Sequence, residues 1–182
     1  MTPWQFRKAE KIIHNGGIIA YPTEAVFGLG CDPLNFNAVE KICSLKNRQL
    51  SQGLILIVSS LDQAKPYTSA TKTQLKKILS KTKRPTTWLL PASQECPLWI
   101  RGKHNSVAIR HIHHPIAKRL CQQSGSALVS TSANLSGRPS LKKAREVQRV
   151  FGSAIDMIIY GNTGKQLFTS EIRDLASGRK LR

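Results

Sequence analysis

The chain has 182 residues, 40% of them hydrophobic, with 28 Lys and Arg against 10 Asp and Glu and a formal net charge of +18. That length and composition suit one globular domain. No apolar run approaches the roughly 20 residues of a membrane helix, and Met1-Thr2-Pro3-Trp4-Gln5 lacks the basic flank and apolar core of a secretion signal, so the expected compartment is the cytoplasm.

Thr2-Pro3 reads as an N-cap followed by proline at the first helical position. Phe6, Ala9, Ile12 and Ile13 then fall on one helical face, and His14-Asn15-Gly16-Gly17 ends that helix. Residues 18–22 are a buried strand closed by Pro22. Asn37 is placed to cap a second helix with Val39, Ile42 and Cys43 inward. Residues 54–58 are a strong strand and 73–81 a basic helix. Residues 87–90 and 107–109 are further strands. Pro115 opens a helix carrying Ile116, Leu120 and Cys121, and residues 127–129 are a strand that runs into a serine-rich turn. Ser140 is placed to cap a helix with Ala144, Val147, Val150 and Phe151 inward. Residues 157–160 are the last clear strand before a Gly-rich tail from Gly161. This alternation predicts a mixed α/β domain over residues 1–182. Cys31, Cys43, Cys96 and Cys121 form no Cys-x-x-Cys pair, so they read as reduced core thiols.

The charge is one-sided. Between Lys65 and Arg145 the sole acid is Glu95, and a field of that sign attracts nucleotides or RNA. A basic surface tuned for solubility is the plainer alternative, although solubility asks for no such imbalance.

Several predicted strands end in clusters of small polar and basic residues, where α/β folds build their crevices. In the stretch Tyr21 to Gly30, Thr23 and Glu24 are presented just past a proline, and two glycines allow a tight turn or a close ligand; an ordinary glycine turn is the alternative. Lys46-Asn47-Arg48 lies between a helix and a strand. Its cations can converge on a phosphate, lysine as a point charge and arginine as a fork, or simply meet a helix C-terminus. Ser106-Val107-Ala108-Ile109-Arg110 ends a strand on an arginine placed to grip a carboxylate. His111, His113 and His114 follow, too close for a helical i, i+4 zinc pair and with no neighbouring carboxylate, so no metal site is expected there. The stretch Ser130 to Gly137 crowds hydroxyls, an amide and a glycine into one turn that could offer donors to an anion. It is neither a P-loop nor a Gly-x-Ser-x-Gly elbow, and a plain Ser/Thr-rich turn is the alternative.

Taken in order, these stretches resemble the YrdC/Sua5 family, and its short single-domain bacterial branch in particular. The resemblance rests on Tyr21-Pro22-Thr23-Glu24 with Phe27-Gly28-Leu29-Gly30-Cys31-Asp32, on Lys46-x-Arg48, and on Gly53-Leu54-Ile55-Leu56-Ile57. It continues through Ala108-Ile109-Arg110, His114-Pro115, Ser130-Thr131-Ser132-Ala133-Asn134-Leu135-Ser136-Gly137 and Ser170-Glu171-Ile172-Arg173-Asp174. It spans nearly the whole chain. It implies a single YrdC-like domain, with a twisted mixed parallel and antiparallel sheet and helices around a concave basic cavity. It implies an enzyme, a nucleotidyltransferase that forms L-threonylcarbamoyladenylate and pyrophosphate from L-threonine, bicarbonate or CO2, and ATP, for the t6A modification of ANN-decoding tRNAs. By the same resemblance Thr23, Arg110, Ser130 and Ser170 hold threonine. Lys46, Arg48, Ser106, Ser132, Asn134 and Ser140 hold ATP, with Lys46 and Arg48 as the catalytic cations. Mg2+ is expected to ride on the triphosphate rather than in a dedicated protein site. TsaB-, TsaD- and TsaE-type proteins are expected downstream, and tRNA is a further possible partner of the basic surface. The chain departs from the family pattern at Gln49, where proline is usual, and at Lys83-Arg84-Pro85, where Pro-Gly-Pro is usual.

Charge alone points instead to a non-catalytic RNA-binding protein, whose affinity falls steeply with salt and is indifferent to threonine. An enzyme of the kind described is stabilised by ATP and threonine. The two readings can coexist on one molecule.

Overall fold

The computed structural model describes residues 2–79, 82 and 84–181. Helix α1 (Pro3–His14) starts as its sequence predicts. Thr2 Oγ1 accepts from Gln5 N, Thr2 N donates to Gln5 Oε1, and Pro3 occupies the first turn, a reciprocal cap worth about 1 kcal/mol. Among the described residues eight strands follow: β1 (Ile19–Pro22), β2 (Phe27–Gly30), β3 (Ile55–Val58), β4 (Thr86–Pro91), β5 (Ser106–His111), β6 (Leu128–Ser132), β7 (Met157–Ile158) and β8 (Glu171–Asp174). They form one sheet in the order β7-β1-β2-β6-β3-β5-β4-β8. The pairs β1–β7, β3–β5 and β4–β8 are parallel and the other neighbours antiparallel. Among the described residues no helix is long and apolar enough to cross a membrane.

Strand side chains alternate between two faces, and here the faces differ. On one, Ala20, Leu29, Leu56, Val58, Val107, Ile109 and Val129 pack with α2 (Phe36–Leu45), α3 (Lys72–Leu79), α4 (Leu98–Arg101) and α6 (Ala144–Phe151). On the other, Ile19, Tyr21, Ile57 and Leu128 pack under α1 and α5 (Pro115–Ser124). Truncating a fully buried member such as Ile57 to alanine would cost about 2–5 kcal/mol. The second face is covered only in part. The β5 residues sharing it are Arg110, Ala108 and Ser106, all partly buried and alternating with the buried Ile109 and Val107. On β6, Ser130 and Ser132 follow Leu128; on β3, Ile55 precedes Ile57. Where the helices stop, small and polar side chains replace large apolar ones, and the sheet becomes a cavity floor. The four cysteines are buried and unpaired, as expected of core thiols.

Some expectations need correction. The second helix is capped by Asn35, whose Oδ1 accepts from Ala38 N at 3.0 Å; Asn37 lies within its first turn. Ser140 caps nothing, because α6 begins at Ala144 and Glu146 accepts from the Lys142 and Lys143 N–H groups instead. Val150 and Tyr160 are exposed. Two strands form where none was expected. β2 occupies the presumed glycine turn, and it needs glycine for packing: a Cβ at Gly30 would lie 2.5 Å from the Val129 carbonyl and 2.8 Å from the Tyr21 ring. β8 arises in the tail, supported by parallel pairing with β4. Ser80 and Lys81, expected in the basic helix, and Lys83 lie outside the described residues.

Candidate active site

The open part of the face is a cavity of about 590 Å³, a size suited to a small molecule or nucleotide. Thr23, Arg48, Ser106, Arg110, Ser130, Ser132, Ser140 and Ser170 all line it. Strand register orders the floor in rows. Arg110 is level with Ile57, Ala108 and Ser130 are both level with Ile55, and Ser106 lies beyond. Ser106 and Arg110, four residues apart on one strand, are therefore separated by about 13 Å. That distance divides the cavity into two ends.

At one end is Arg110. One terminal nitrogen of its guanidinium donates to Glu24 Oε2 at 2.6 Å, and both side chains are largely buried. Glu24 Oε1 accepts from His113 N at 2.8 Å and His114 N at 3.1 Å. Burial alone would raise the proton affinity of Glu24; the Arg110 charge and the backbone N–H donors outweigh it and hold the carboxyl below the usual range. Thr23 is set by a tight turn in which its N–H and Oγ1 both donate to the Val26 carbonyl, at 3.0 and 2.7 Å. Ser130 is buried on β6. Ser170 comes from the segment leading into β8, its hydroxyl 2.8 Å from that of the fully buried Thr87.

The other end is cationic. Lys46 is the C-cap of α2, and Asn47 follows at φ 48, a left-handed conformation that asparagine tolerates better than most residues. This turn separates the two cations. Arg48 reaches the cavity wall and donates to the Gly53 carbonyl at 2.7 Å; Gly53 has φ 66 and a Cβ there would press on the Arg101 carbonyl at 2.9 Å. Lys46 turns the other way and is buried. Its Nζ donates to Ser132 O at 2.7 Å, Asn134 O at 2.8 Å and Asn134 Oδ1 at 3.1 Å. Ser132 Oγ donates to the same Asn134 Oδ1 at 2.6 Å. Lys46 and Asn134 therefore stand behind Ser132 rather than in the wall. Burial first, then the Arg48 charge, push the Lys46 pKa down to about 8. Ser140 reaches the wall because its loop is pinned on both sides, by Leu141 N to Ala133 O at 3.0 Å and Phe27 N to Leu141 O at 2.8 Å.

Sequence reasoning missed Arg101, His104, Thr131, Thr169 and Leu181, which also line the cavity. The 100–104 segment docks on the stretch 46–54 through Leu54 N to Ile100 O at 2.8 Å and Lys103 N to Ser51 O at 3.0 Å. No sequence spacing announces that contact; the pair of basic residues Arg101 and His104 beside a glycine was the available signal. Arg84, from the loop that departs from the family pattern, stacks over Phe168 with its guanidinium carbon 5.4 Å from the ring centre. The His111 and His113 rings meet edge to face at 4.6 Å, and among the described residues no group of three or more His, Cys, Asp or Glu could hold a metal ion.

A sheet of this order whose cavity combines Thr23, Lys-x-Arg and the Ser-Thr-Ser-Ala-Asn strand end defines a class. The Sua5/YciO/YrdC family model, described as telomere recombination, matches residues 11–182, and the chain belongs to that family. Within it, the chain is 47% identical to a threonylcarbamoyl-AMP synthase of Nitrosococcus oceani, over 98% of this chain and 97% of the relative. A protein of the same name from Vibrio cholerae is 42% identical, over 97% and 95%. Among solved structures, P. abyssi Sua5 complexed with L-threonine superposes with a TM-score of 0.88 at 32% identity, over 96% of this chain. This chain spans about half the length of that Sua5, covering 52% of it.

Proposed function

We propose that this protein is a nucleotidyltransferase that makes L-threonylcarbamoyladenylate and pyrophosphate from L-threonine, bicarbonate or CO2, and ATP. The observation that carries this reading is the two-ended cavity: an arginine among hydroxyls at one end, and at the other Arg48 among hydroxyls, backed by the buried Lys46 and the Asn134 amide. The activity named for its bacterial relatives supports the same reaction.

Threonine's neutral amine attacks the carbon of CO2, supplied as such or from bicarbonate, and loses a proton to give a carbamate. A carbamate oxygen then attacks the α-phosphorus of ATP. The new O–P bond forms as the bond to the bridging oxygen breaks, and pyrophosphate leaves with that electron pair. No covalent enzyme intermediate is required, so the protein's work is positioning and charge stabilisation. Arg110 clamps the threonine carboxylate. Thr23, Ser130 and Ser170 read its polar groups, which is how a site rejects analogues lacking them. Arg48 faces the phosphates with Ser106, Ser132 and Ser140. Lys46 supplies a buried positive charge from behind Ser132 and fixes Asn134. Magnesium enters as part of the ATP substrate. In support, Glu24, the acid paired with Arg110, is already engaged by three donors, and hard divalent cations that bind triphosphates commonly need few protein ligands.

The adenylate is a labile mixed anhydride, which suits immediate use in tRNA t6A modification by TsaB-, TsaD- and TsaE-type proteins in the cytoplasm. The +18 charge supports tRNA as a partner of the exterior.

The test is to mix the protein with ATP-Mg, threonine and bicarbonate and to resolve the adenylate and pyrophosphate by chromatography. Absence of product beside active controls would rule out the reaction. Lys46→Ala and Arg110→Ala should each lower the rate by about 10²–10³-fold, the scale of losing one preorganised charge contact, with folding checked by circular dichroism. Wild-type rates in both would overturn the assigned roles.

A further inference from the structure

We infer that Glu24 is a positioning residue for amino-acid recognition, holding the Arg110 guanidinium in the orientation that receives the substrate carboxylate. The inference rests on reading this end of the cavity as the threonine site. Arg110 leaves the C-terminal end of β5 with a long, flexible side chain, and an arginine that must bind a carboxylate in a fixed pose benefits from being held beforehand. The 2.6 Å bond from its terminal nitrogen to Glu24 Oε2 supplies that hold. Its Nε is buried and makes no hydrogen bond within the described protein, so the guanidinium keeps donor capacity while one corner is fixed.

Glu24 is itself anchored. His114 is the N-cap of α5, yet its side chain makes no capping bond. Glu24 Oε1, from another segment, accepts from the two N–H groups just before the helix, His113 N and His114 N, where the positive end of a helix dipole favours a carboxylate. The backbone is tied as well: Gln166 N donates to Glu24 O at 3.1 Å and Gly164 N to Thr23 O at 2.9 Å. His114 Nε2 lies 3.0 Å from Asn162 O, which closes the same turn. Glu24 thus links Thr23, Arg110, the start of α5 and the segment that leads to Ser170.

A role as general base fits these contacts poorly. Oε1 already accepts two N–H donors and Oε2 a charged one, and the Arg110 charge with those donors holds the carboxyl below its usual range, which makes a weak proton acceptor. A plain structural ion pair would influence folding without distinguishing the substrates. A positioning pair changes threonine recognition and leaves ATP recognition alone.

Glu24→Gln separates these roles, since it keeps the size and an acceptor oxygen for the His113 and His114 N–H groups and removes the charge that aligns Arg110. The measurements are KM for threonine and for ATP, kcat, and direct threonine binding by calorimetry on the full chain. Threonine KM and Kd should rise about tenfold to a hundredfold, with ATP KM within about twofold. In an Arg110→Gln background the same change should add almost nothing. Unchanged threonine binding, a parallel shift in both KM values, or simple additivity in the double variant overturns the inference. If Glu24→Gln does not fold, Glu24→Asp, which keeps the charge but shortens the reach, should give an intermediate rise in threonine Kd, and wild-type affinity in that variant overturns it equally. Failure of the unsubstituted protein to bind threonine at all would instead remove the threonine-site reading itself, an outcome visible before any variant is made.

Discussion

Lys46 shows how much one buried cation can decide. Its three ammonium hydrogens meet three oxygens of Ser132 and Asn134, so it knits the cavity wall from behind while adding charge to it. Burial and the Arg48 charge lower its pKa from 10.5 to about 8. The unfolded chain therefore binds more protons than the folded one between about pH 8 and 10.5. Lys46 opposes folding below that window and ceases to as the pH rises through it. An ATP polyphosphate beside the wall acts in the opposite sense and restores the proton. At pH 8.5 ATP binding should take up protons, read as a buffer-dependent enthalpy in calorimetry with buffers of different ionisation enthalpy, and Lys46→Met should abolish that uptake. Buffer-independent binding in the unsubstituted protein would mean that the nucleotide does not sense Lys46. The sequence made this residue conspicuous because Lys-x-Arg is a dense local signal. It could not show that Lys46 faces inward, since that depends on the left-handed Asn47 and on a strand 86 residues away. Glu24 was visible as an acid, but its partners come from β5 and the loop that follows it, more than 80 residues away.

At the scale of elements, the cavity exists because β5 and β6, on either side of β3, carry Ser106, Ala108, Ser130 and Ser132 on this face, where its helix-covered part carries Ile and Leu. Ala108 is the centre of that floor, level with Ile55 on β3 and Leu89 on β4, both of which also line the cavity. Ala108→Leu would fill the floor without touching any charged group. Cavity-filling changes commonly add about 0.5–2 kcal/mol, so the melting temperature should hold or rise. Ligand affinity, measured by calorimetry, should fall at least about tenfold for both threonine and ATP, because displacement by about 1 Å is costly in a preorganised site. Loss for one substrate alone would show that the two ends do not share this floor. The long apolar runs behind β3 and α5 were legible from periodicity, as were the thiols and the Thr2 cap. β2 was not, because Phe27-Gly28-Leu29-Gly30 carries half the side chains that a strand pattern needs, and the missing ones are what let the Tyr21 ring and Thr23 approach. β8 was not, because its half-buried residues are supported by pairing with β4 rather than by a hydrophobic pattern of their own. Ser140 reads as a cap in the sequence since hydroxyls serve caps and ligands alike; the pinned 133–141 loop decides between them.

For the whole molecule the open question is whether its charge or its cavity governs what it binds. A net charge of +18 attracts any polyanion, ATP and RNA included, and such binding weakens steeply with salt. Stabilisation by ATP at low salt is therefore ambiguous. Threonine is not: near neutral pH it is a zwitterion without net charge, so a uniform field gives it no net attraction, and only a built site can bind it. By linkage, a ligand at 100 times its Kd stabilises the fold by about 2.7 kcal/mol. For a domain of this size each kcal/mol moves the melting temperature by about 2–4 °C. Saturating threonine should thus raise it by roughly 5–10 °C in a thermal-shift scan, with little change between low and moderate salt, and Arg110→Ala should remove the shift. RNA binding, followed by fluorescence anisotropy, should instead fall by orders of magnitude over the same salt range and survive Arg110→Ala. A threonine shift that collapses with salt, or persists without Arg110, would place recognition outside the cavity. If the two responses separate as expected, one basic molecule carries both a polyanion-binding exterior and a cavity that selects by geometry, and charge determines what approaches while the cavity determines what reacts.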